Sequence, residues 1–173
     1  MHSLSRRPTF VTDHPLYSAF GRAVDAAMEA DPLVALLTCD TARDHFVYEL
    51  QEKYPGRALD CGIAEQHMVS MASALALSGY KPIVVTYARF LTRAYEQIYN
   101  QVTEGTAVVY VGGLAGPLPT EGPGQSHEAL EDGMAMAGLG IAAHEVSRHE
   151  VLLYLHTALE MPISTYMRLC HVI

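Results

Sequence analysis

Short apolar runs alternate along the chain with segments whose apolar residues recur at helical spacing. This spacing predicts a first helix over 15–30, with Asp13 as its N-cap, and five more over 46–53, 65–78, 90–103, 128–137 and 150–159. Apolar, often β-branched runs predict strands over 33–39, 57–61, 82–87, 106–111, 140–146 and 163–167. Five glycines and three prolines predict a long loop over 112–124, and loops of that length in a compact domain are usually functional.

The alternation of strands and helices predicts an α/β fold. Strands separated by helices form a mostly parallel sheet, here of six strands, with right-handed crossovers and helices on both faces. We therefore expect a single doubly wound domain over residues 1–173. Folds of this kind place their ligands outside the carboxyl ends of the strands.

Composition narrows the possible partners. The net charge is −8 with 11 lysines and arginines, which argues against nucleic acid. No apolar run approaches the roughly 18 residues of a membrane-spanning helix, and no secretory signal is recognisable, so we expect a cytoplasmic protein. The three cysteines and nine histidines are dispersed, which predicts reduced thiols and no metal ligands. Half of the residues are apolar, which suggests a face shared with a partner.

The most informative stretch covers residues 60–67. It combines a strand end, a turn at Gly62 and a helix that begins at Glu65. A carboxylate at that place lies where doubly wound sheets bind ligands. By itself, Glu65 could equally be an ordinary acidic residue in the first turn of a helix.

Three motifs together resemble one protein family. Residues 57–67 are RALDCGIAEQH, residues 87–98 are YARFLTRAYEQI and residues 124–132 are GQSHEALED. In this order they resemble transketolases and deoxyxylulose-phosphate synthases, and specifically the domain of those enzymes that binds the pyrimidine of thiamine diphosphate. The 2-oxoacid dehydrogenase beta subunits are also similar.

The resemblance implies roles in binding the cofactor. Glu65 matches the glutamate that hydrogen-bonds N1′ of the aminopyrimidine and favours its imino tautomer. Phe90 matches the aromatic residue that packs on that ring, and Tyr87 and Ile63 are expected to contact the cofactor as well. Packing in the core remains the alternative for Phe90 and Tyr87.

The resemblance also implies residues that meet the substrate. Arg93 matches an arginine that binds the substrate phosphate, although a solvated arginine on a helix is the alternative. His127 matches a histidine that faces the substrate oxygens, where it would donate hydrogen bonds or transfer protons; a helix-capping histidine is the alternative. Glu128 and Pro123 depart from the family pattern, in which an aspartate at position 123 recognises a sugar hydroxyl. Only a different course of the loop would let Glu121 replace it, and Arg89 has no assigned role.

The 173 residues lack the family's means of holding the diphosphate. No Gly-Asp dipeptide occurs and Asn100 is the only asparagine, so the Gly-Asp-Gly motif that binds Mg²⁺ is missing. The resemblance therefore implies a split enzyme, in which a separate diphosphate-binding subunit supplies the Mg²⁺ ligands, expected as an α₂β₂ heterotetramer. The predicted activity is transfer of a two-carbon ketol unit from a ketose donor. The alternatives are a subunit that decarboxylates a 2-oxoacid such as pyruvate and a non-catalytic assembly subunit.

Overall fold

A computed structural model describes residues 15–118 and 124–170. The strands of the described chain are β1 (Val34–Thr38), β2 (Ala58–Asp60), β3 (Lys81–Tyr87), β4 (Val109–Ala115), β5 (Ala143–Glu145) and β6 (Thr165–Cys170). Its α-helices are α1 (Pro15–Ala30), α2 (Leu50–Lys53), α3 (Glu65–Leu77), α4 (Ala88–Leu91), α5 (Tyr95–Thr103), α6 (Asp132–Gly138) and α7 (Val151–Glu160). Two 3-10 turns, Thr92–Ala94 and Gln125–His127, complete the list.

The six strands form one sheet in the order β2-β1-β3-β4-β6-β5, and every pair is parallel. The chain leaves β1 toward β2 and then returns to the other side of β1 to form β3. This reversal creates a crevice at the carboxyl ends of β1 and β3, where doubly wound folds bind ligands. The predicted fold class is confirmed.

Alternate side chains along the strands enter two different cores. Residues such as Leu36, Val85 and Val111 pack with α1 and α7 on one face of the sheet. Their neighbours Leu37, Val84 and Tyr110 pack with α3 and α5 on the other face. Because both faces are covered, the central strands β1, β3 and β4 are almost entirely buried and mostly apolar, as expected for a parallel sheet, whereas the edge strand β5 is half-buried or exposed.

Several predicted boundaries are wrong. Strand β4 continues to Ala115, four residues into the predicted loop. The strand requires glycine at these positions, because a side chain at Gly112 would overlap the hydroxyl of Tyr166 and one at Gly113 would overlap the His45 ring. The sequence pattern instead suggested that glycines mark a loop.

The predicted helices over 46–53, 90–103 and 128–137 also differ from the structure. The first is reduced to α2, and the second is divided by the 3-10 turn Thr92–Ala94 into α4 and α5. The third begins only at Asp132, because residues 124–131 form a connection that carries His127. Asp13, Glu121 and Pro123 lie outside the described residues.

Candidate active site at the carboxyl edge of the sheet

The candidate site lies where β1, β2, β3 and β4 end. The turn after β2 is held by Asp60, whose Oδ1 accepts hydrogen bonds from the backbone N–H groups of Asp40 and Gly62, both at 2.9 Å. Gly62 has φ +66°, a left-handed conformation that glycine adopts without strain. This turn ends at Glu65, the first residue of α3.

Glu65 is a carboxylate that lies almost entirely inside the protein. Only 5% of its surface is exposed, whereas Ile63, two residues earlier, is 76% exposed. A buried charged group needs a partner, and Arg93 provides one, because its Nη1 lies 3.3 Å from Oε1 of Glu65. The arginine side chain is itself 56% exposed, so it connects the carboxylate with the open surface of the site.

Three rings from two of the sequence motifs form a cluster beside this ion pair. Phe90 lies 5.1 Å from His127 and 5.4 Å from Tyr87 between ring centroids, and Tyr87 lies 5.5 Å from His127. The Arg93 guanidinium lies 4.9 Å from the Phe90 ring centroid, within the range of a cation–π contact. Motifs that are separate in the sequence therefore meet at one place.

Sequence reasoning missed a second group of residues beneath the cluster. The Tyr87 hydroxyl donates a 2.7 Å hydrogen bond to Asp44, and the His45 ring lies 5.4 Å from Tyr87. On its other side, His45 lies 5.7 Å from the ring of Tyr17. The available signal was the polar segment 40–45, which directly follows β1 and so had to lie at the carboxyl edge.

His45 is neutral because it is fully buried. Burial lowers its pKa to about 4. Its Nδ1 lies 2.9 Å from the Thr41 carbonyl oxygen, which makes Nδ1 the protonated nitrogen, and Nε2 faces Gly113 with no hydrogen-bond partner among the described residues. His45 thus supports the Tyr87 ring by packing.

The connection that carries His127 is attached to the sheet just after the histidine. The N–H of Gly116, which follows β4, donates to the Ala129 carbonyl at 2.8 Å. Three residues later, Asp132 accepts hydrogen bonds from the hydroxyl of Tyr166 at 2.6 Å and from the guanidinium of Arg168 at 2.9 and 3.0 Å. These bonds fix the position of the half-buried His127.

Glu128, which departs from the family motif, and Arg89, which had no assigned role, each have a polar partner in the structure. The Glu128 carboxylate accepts a 3.2 Å hydrogen bond from the Leu118 N–H, which links the two sides of the segment 119–123. Arg89 lies 3.8 Å from Glu131 in an exposed ion pair. Exposed pairs of this kind contribute little to stability.

The site fits a flat, nitrogen-containing ring better than a metal ion. A buried carboxylate beside an aromatic wall supplies one hydrogen-bonding group and one stacking surface. Across residues 15–118 and 124–170, no three histidine, cysteine, aspartate or glutamate side chains are grouped so that they could hold a metal ion. Within the same ranges, no helix is long and apolar enough to cross a membrane.

The fold and the site define a doubly wound α/β protein with a candidate ligand site at the switch point of its sheet. Residues 15–147 match the family model described as "Transketolase, pyrimidine binding domain". The chain belongs to this family, which confirms the resemblance drawn from the three motifs.

Curated relatives are 1-deoxy-D-xylulose-5-phosphate synthases. That of Clostridium acetobutylicum is 35% identical over 115 residues, which are 66% of this chain and 18% of the relative. That of Anaeromyxobacter sp. is 33% identical over 148 residues, which are 82% of this chain and 22% of the relative. The chain thus spans about a fifth of the length of these relatives.

Two solved structures share the fold. One, "Split gene transketolase, inactive beta4 tetramer", superimposes with a TM-score of 0.75 at 26% identity, covering 88% of this chain and 50% of that one. Transketolase from Leishmania mexicana superimposes with a TM-score of 0.79 at 16% identity, covering 89% of this chain and 25% of that one. At 16% identity, the second match concerns the fold alone.

Proposed function

We propose that this chain is the pyrimidine-binding subunit of a split, thiamine-diphosphate-dependent enzyme that transfers a two-carbon ketol unit. The observation that carries the proposal is the buried Glu65 carboxylate beside the Phe90–Tyr87–His127 cluster at the switch point of the sheet. Thiamine diphosphate supplies the carbanion chemistry when it is bound. The residues of this chain would bind and orient the cofactor and the substrate and transfer protons to substrate oxygens.

Glu65 is the residue proposed to bind N1′ of the aminopyrimidine. Its burial excludes water from the carboxylate, which strengthens a hydrogen bond made there. The half-buried Phe90 offers a ring for stacking, and the exposed Ile63 offers apolar surface at the edge of the site. Tyr87 contributes its ring rather than its hydroxyl, because the hydroxyl is already bonded to Asp44.

Arg93 and His127 are proposed to meet the substrate. The side chain of Arg93 is more than half exposed, so its guanidinium can reach a substrate phosphate without a movement of the backbone. The imidazole of His127 packs on Phe90 and Tyr87, and its Nδ1 lies 3.0 Å from the Ser126 hydroxyl, so Nε2 is the nitrogen proposed to face the substrate. There it would donate hydrogen bonds to substrate oxygens or transfer a proton to them.

The diphosphate and its Mg²⁺ are assigned to a separate subunit. The described residues of this chain do not group the oxygen ligands that Mg²⁺ requires, and its 173 residues contain no Gly-Asp-Gly motif. The similarity to a split gene transketolase supports an assembly of several subunits. We propose an α₂β₂ heterotetramer in the cytoplasm.

A second candidate function is decarboxylation of a 2-oxoacid such as pyruvate, with transfer of the remaining two-carbon unit to an acceptor. It is favoured by the curated relatives, which are 1-deoxy-D-xylulose-5-phosphate synthases. Both candidates use Glu65 and Phe90 in the same way. They differ in the donor substrate.

The test is to co-express this chain with the diphosphate-binding chain encoded beside it and to assay transfer from xylulose 5-phosphate and from pyruvate. Glu65→Ala should lower kcat by at least about 100-fold, the usual contribution of a positioned acid or base. Glu96→Ala, which removes an exposed glutamate of α5, is the matched control and should leave kcat unchanged. Near-normal activity of Glu65→Ala would contradict the proposal. Transfer from pyruvate but not from xylulose 5-phosphate would favour the second function.

A further inference from the structure

Two of the three cysteines meet at the ends of neighbouring strands. Cys39 follows β1 and Cys61 follows β2, one residue beyond the last paired positions of the two strands, Thr38 and Asp60. The N–H of Cys61 donates to the Thr38 carbonyl at 2.8 Å, which extends the pairing to Cys61. Adjacent strands lie about 4.8 Å apart, and disulfides span Cα separations of about 4.4–6.8 Å. The two residues are therefore within bridging distance.

The two thiols differ in reactivity. Interaction with the Cys39 thiol lowers the pKa of Cys61, which is only half-buried. The same interaction, together with burial, raises the pKa of Cys39, which is 3% exposed. Since the thiolate is the nucleophile, Cys61 is the thiol that reacts first, and Cys39 lies next to it as the resolving thiol.

The third cysteine is different in each of these respects. Cys170 lies at the end of β6, which two strands, β3 and β4, separate from β1. Burial raises its pKa to about 12. All three cysteines are free thiols, but Cys170 has no cysteine beside it among the described residues, so it provides an internal control.

We propose that Cys39 and Cys61 are an oxidisable dithiol, which hydroperoxides convert into an intrachain disulfide. The Cys61 thiolate attacks a peroxide oxygen, the O–O bond breaks, and a sulfenic acid and one molecule of water or alcohol are formed. The Cys39 sulfur then attacks the Cys61 sulfur, so the S–S bond forms as the S–O bond breaks. The departing hydroxide takes the Cys39 proton as water. Two thiols lose two electrons and two protons, and the peroxide gains them.

The disulfide would act on the turn that positions Glu65. The Cys39 sulfur lies 3.5 Å from Sδ of Met68, in the first turn of α3 after Glu65. The turn that leads from Cys61 to Glu65 is closed by a 2.8 Å hydrogen bond from the N–H of Ala64 to the Gly62 carbonyl. A covalent bond between Cys39 and Cys61 would therefore constrain the segment 61–68, which begins at Cys61 and contacts Cys39 through Met68. The thiol chemistry itself does not depend on the proposed function.

The first test is peptide mapping of the chain after treatment with hydrogen peroxide and alkylation. We expect a mass loss of about 2 Da, the two hydrogens of a thiol pair, a linked peptide containing Cys39 and Cys61, and reversal by dithiothreitol. Cys170 should remain open to alkylation after denaturation, and Cys170→Ser should behave like the native chain. In Cys39→Ser, dimedone should trap a sulfenic acid at Cys61. No linked peptide, overoxidation of Cys61 to sulfinic acid, or equal oxidation of Cys170 would overturn the proposal.

The second test concerns the coupling to α3 and uses the native chain alone. Hydrogen–deuterium exchange should change over residues 62–68 on oxidation and should stay unchanged over α7, which lies on the other face of the sheet. Identical exchange over residues 62–68 in the reduced and oxidised protein would overturn the coupling.

Discussion

At the scale of single residues, the candidate site depends on polar groups that are buried for different reasons. Glu65 is buried with a charged partner, Arg93, whose side chain is more than half exposed. His45 is buried with a neutral hydrogen-bond partner, the Thr41 carbonyl, and packs between Tyr17 and Tyr87. A carboxylate of the first kind is suited to ligand binding, and a histidine of the second kind is suited to supporting a ring.

The burial of His45 predicts a dependence of stability on pH. Its pKa is about 4 in the folded protein and 6.5 in the unfolded chain, so between pH 6.5 and 4 the unfolded chain takes up the proton and the folded protein does not. Stability contributed by the neutral form is thus complete above pH 6.5 and is lost as the pH falls toward 4. The loss amounts to about 3 kcal/mol over this window.

Urea unfolding at several pH values measures this effect. His45→Asn keeps a polar side chain but removes the titrating group, so its free energy of unfolding should fall less between pH 6.5 and 4 than that of the native chain. If the free energy of unfolding depends on pH equally in the two proteins, His45 is not the group responsible.

At the scale of secondary-structure elements, the site requires close packing at the end of β4. The glycines of this strand leave room for the His45 ring and the Tyr166 hydroxyl, which come from opposite faces of the sheet. Helix α6 is fixed to β6 by the bonds of Asp132 to Tyr166 and Arg168. The segments that carry Tyr87 and His127 are held together by these two features.

Gly113→Ala tests the packing at β4. The added methyl group would overlap the His45 ring, so we expect a loss of about 1–3 kcal/mol in the free energy of unfolding, as for overpacked cores. Gly133→Ala is the matched control, because its nearest neighbour, Cβ of Ala143, lies at an ordinary 3.6 Å and alanine favours helices. It should be neutral or stabilising by chemical denaturation. A Gly113→Ala protein as stable as the native chain would contradict the close packing.

Asp132→Asn tests the attachment of α6. The side chain of Asp132 is 2% exposed and that of Arg168 is 19% exposed, so the variant leaves a largely buried guanidinium with only the exposed Glu145, at 3.5 Å, as its charge partner. We expect a loss of about 3 kcal/mol. Glu131→Gln removes the exposed partner of Arg89 and should cost less than about 1 kcal/mol. Similar unfolding midpoints for the two variants would contradict a structural role for the Asp132 pair.

At the scale of the whole molecule, two covered faces leave the carboxyl edge of the sheet as the accessible region near the site. Apolar side chains are nevertheless exposed in different places. Ile63 is 76% exposed beside Glu65, and Leu153 is 72% exposed on α7. The first lies where the proposed cofactor binds, and the second lies on a helix that packs away from the site.

This pair gives a prediction for the assembled enzyme. Ile63→Ser should leave the unfolding midpoint of this chain unchanged, because the side chain is exposed, and should raise the KM for thiamine diphosphate by at least about tenfold, because an apolar contact made on binding is lost. Leu153→Ser is the matched control and should leave that KM unchanged. Equal KM values for both variants would contradict a contact between Ile63 and the cofactor.

The sequence by itself determined the order of elements, the parallel sheet and the family. Apolar runs and helical spacing record which residues are buried on each element, and the three motifs are local enough to recognise directly. Strand β4 and the segment 40–45 were different, because their roles depend on residues distant in the chain. Only the tertiary structure shows that the His45 ring lies where a side chain at position 113 would be, or that Cys39 lies beside Cys61. Such contacts arise when strands pair side by side, and a one-dimensional pattern carries no information about which side chains then meet.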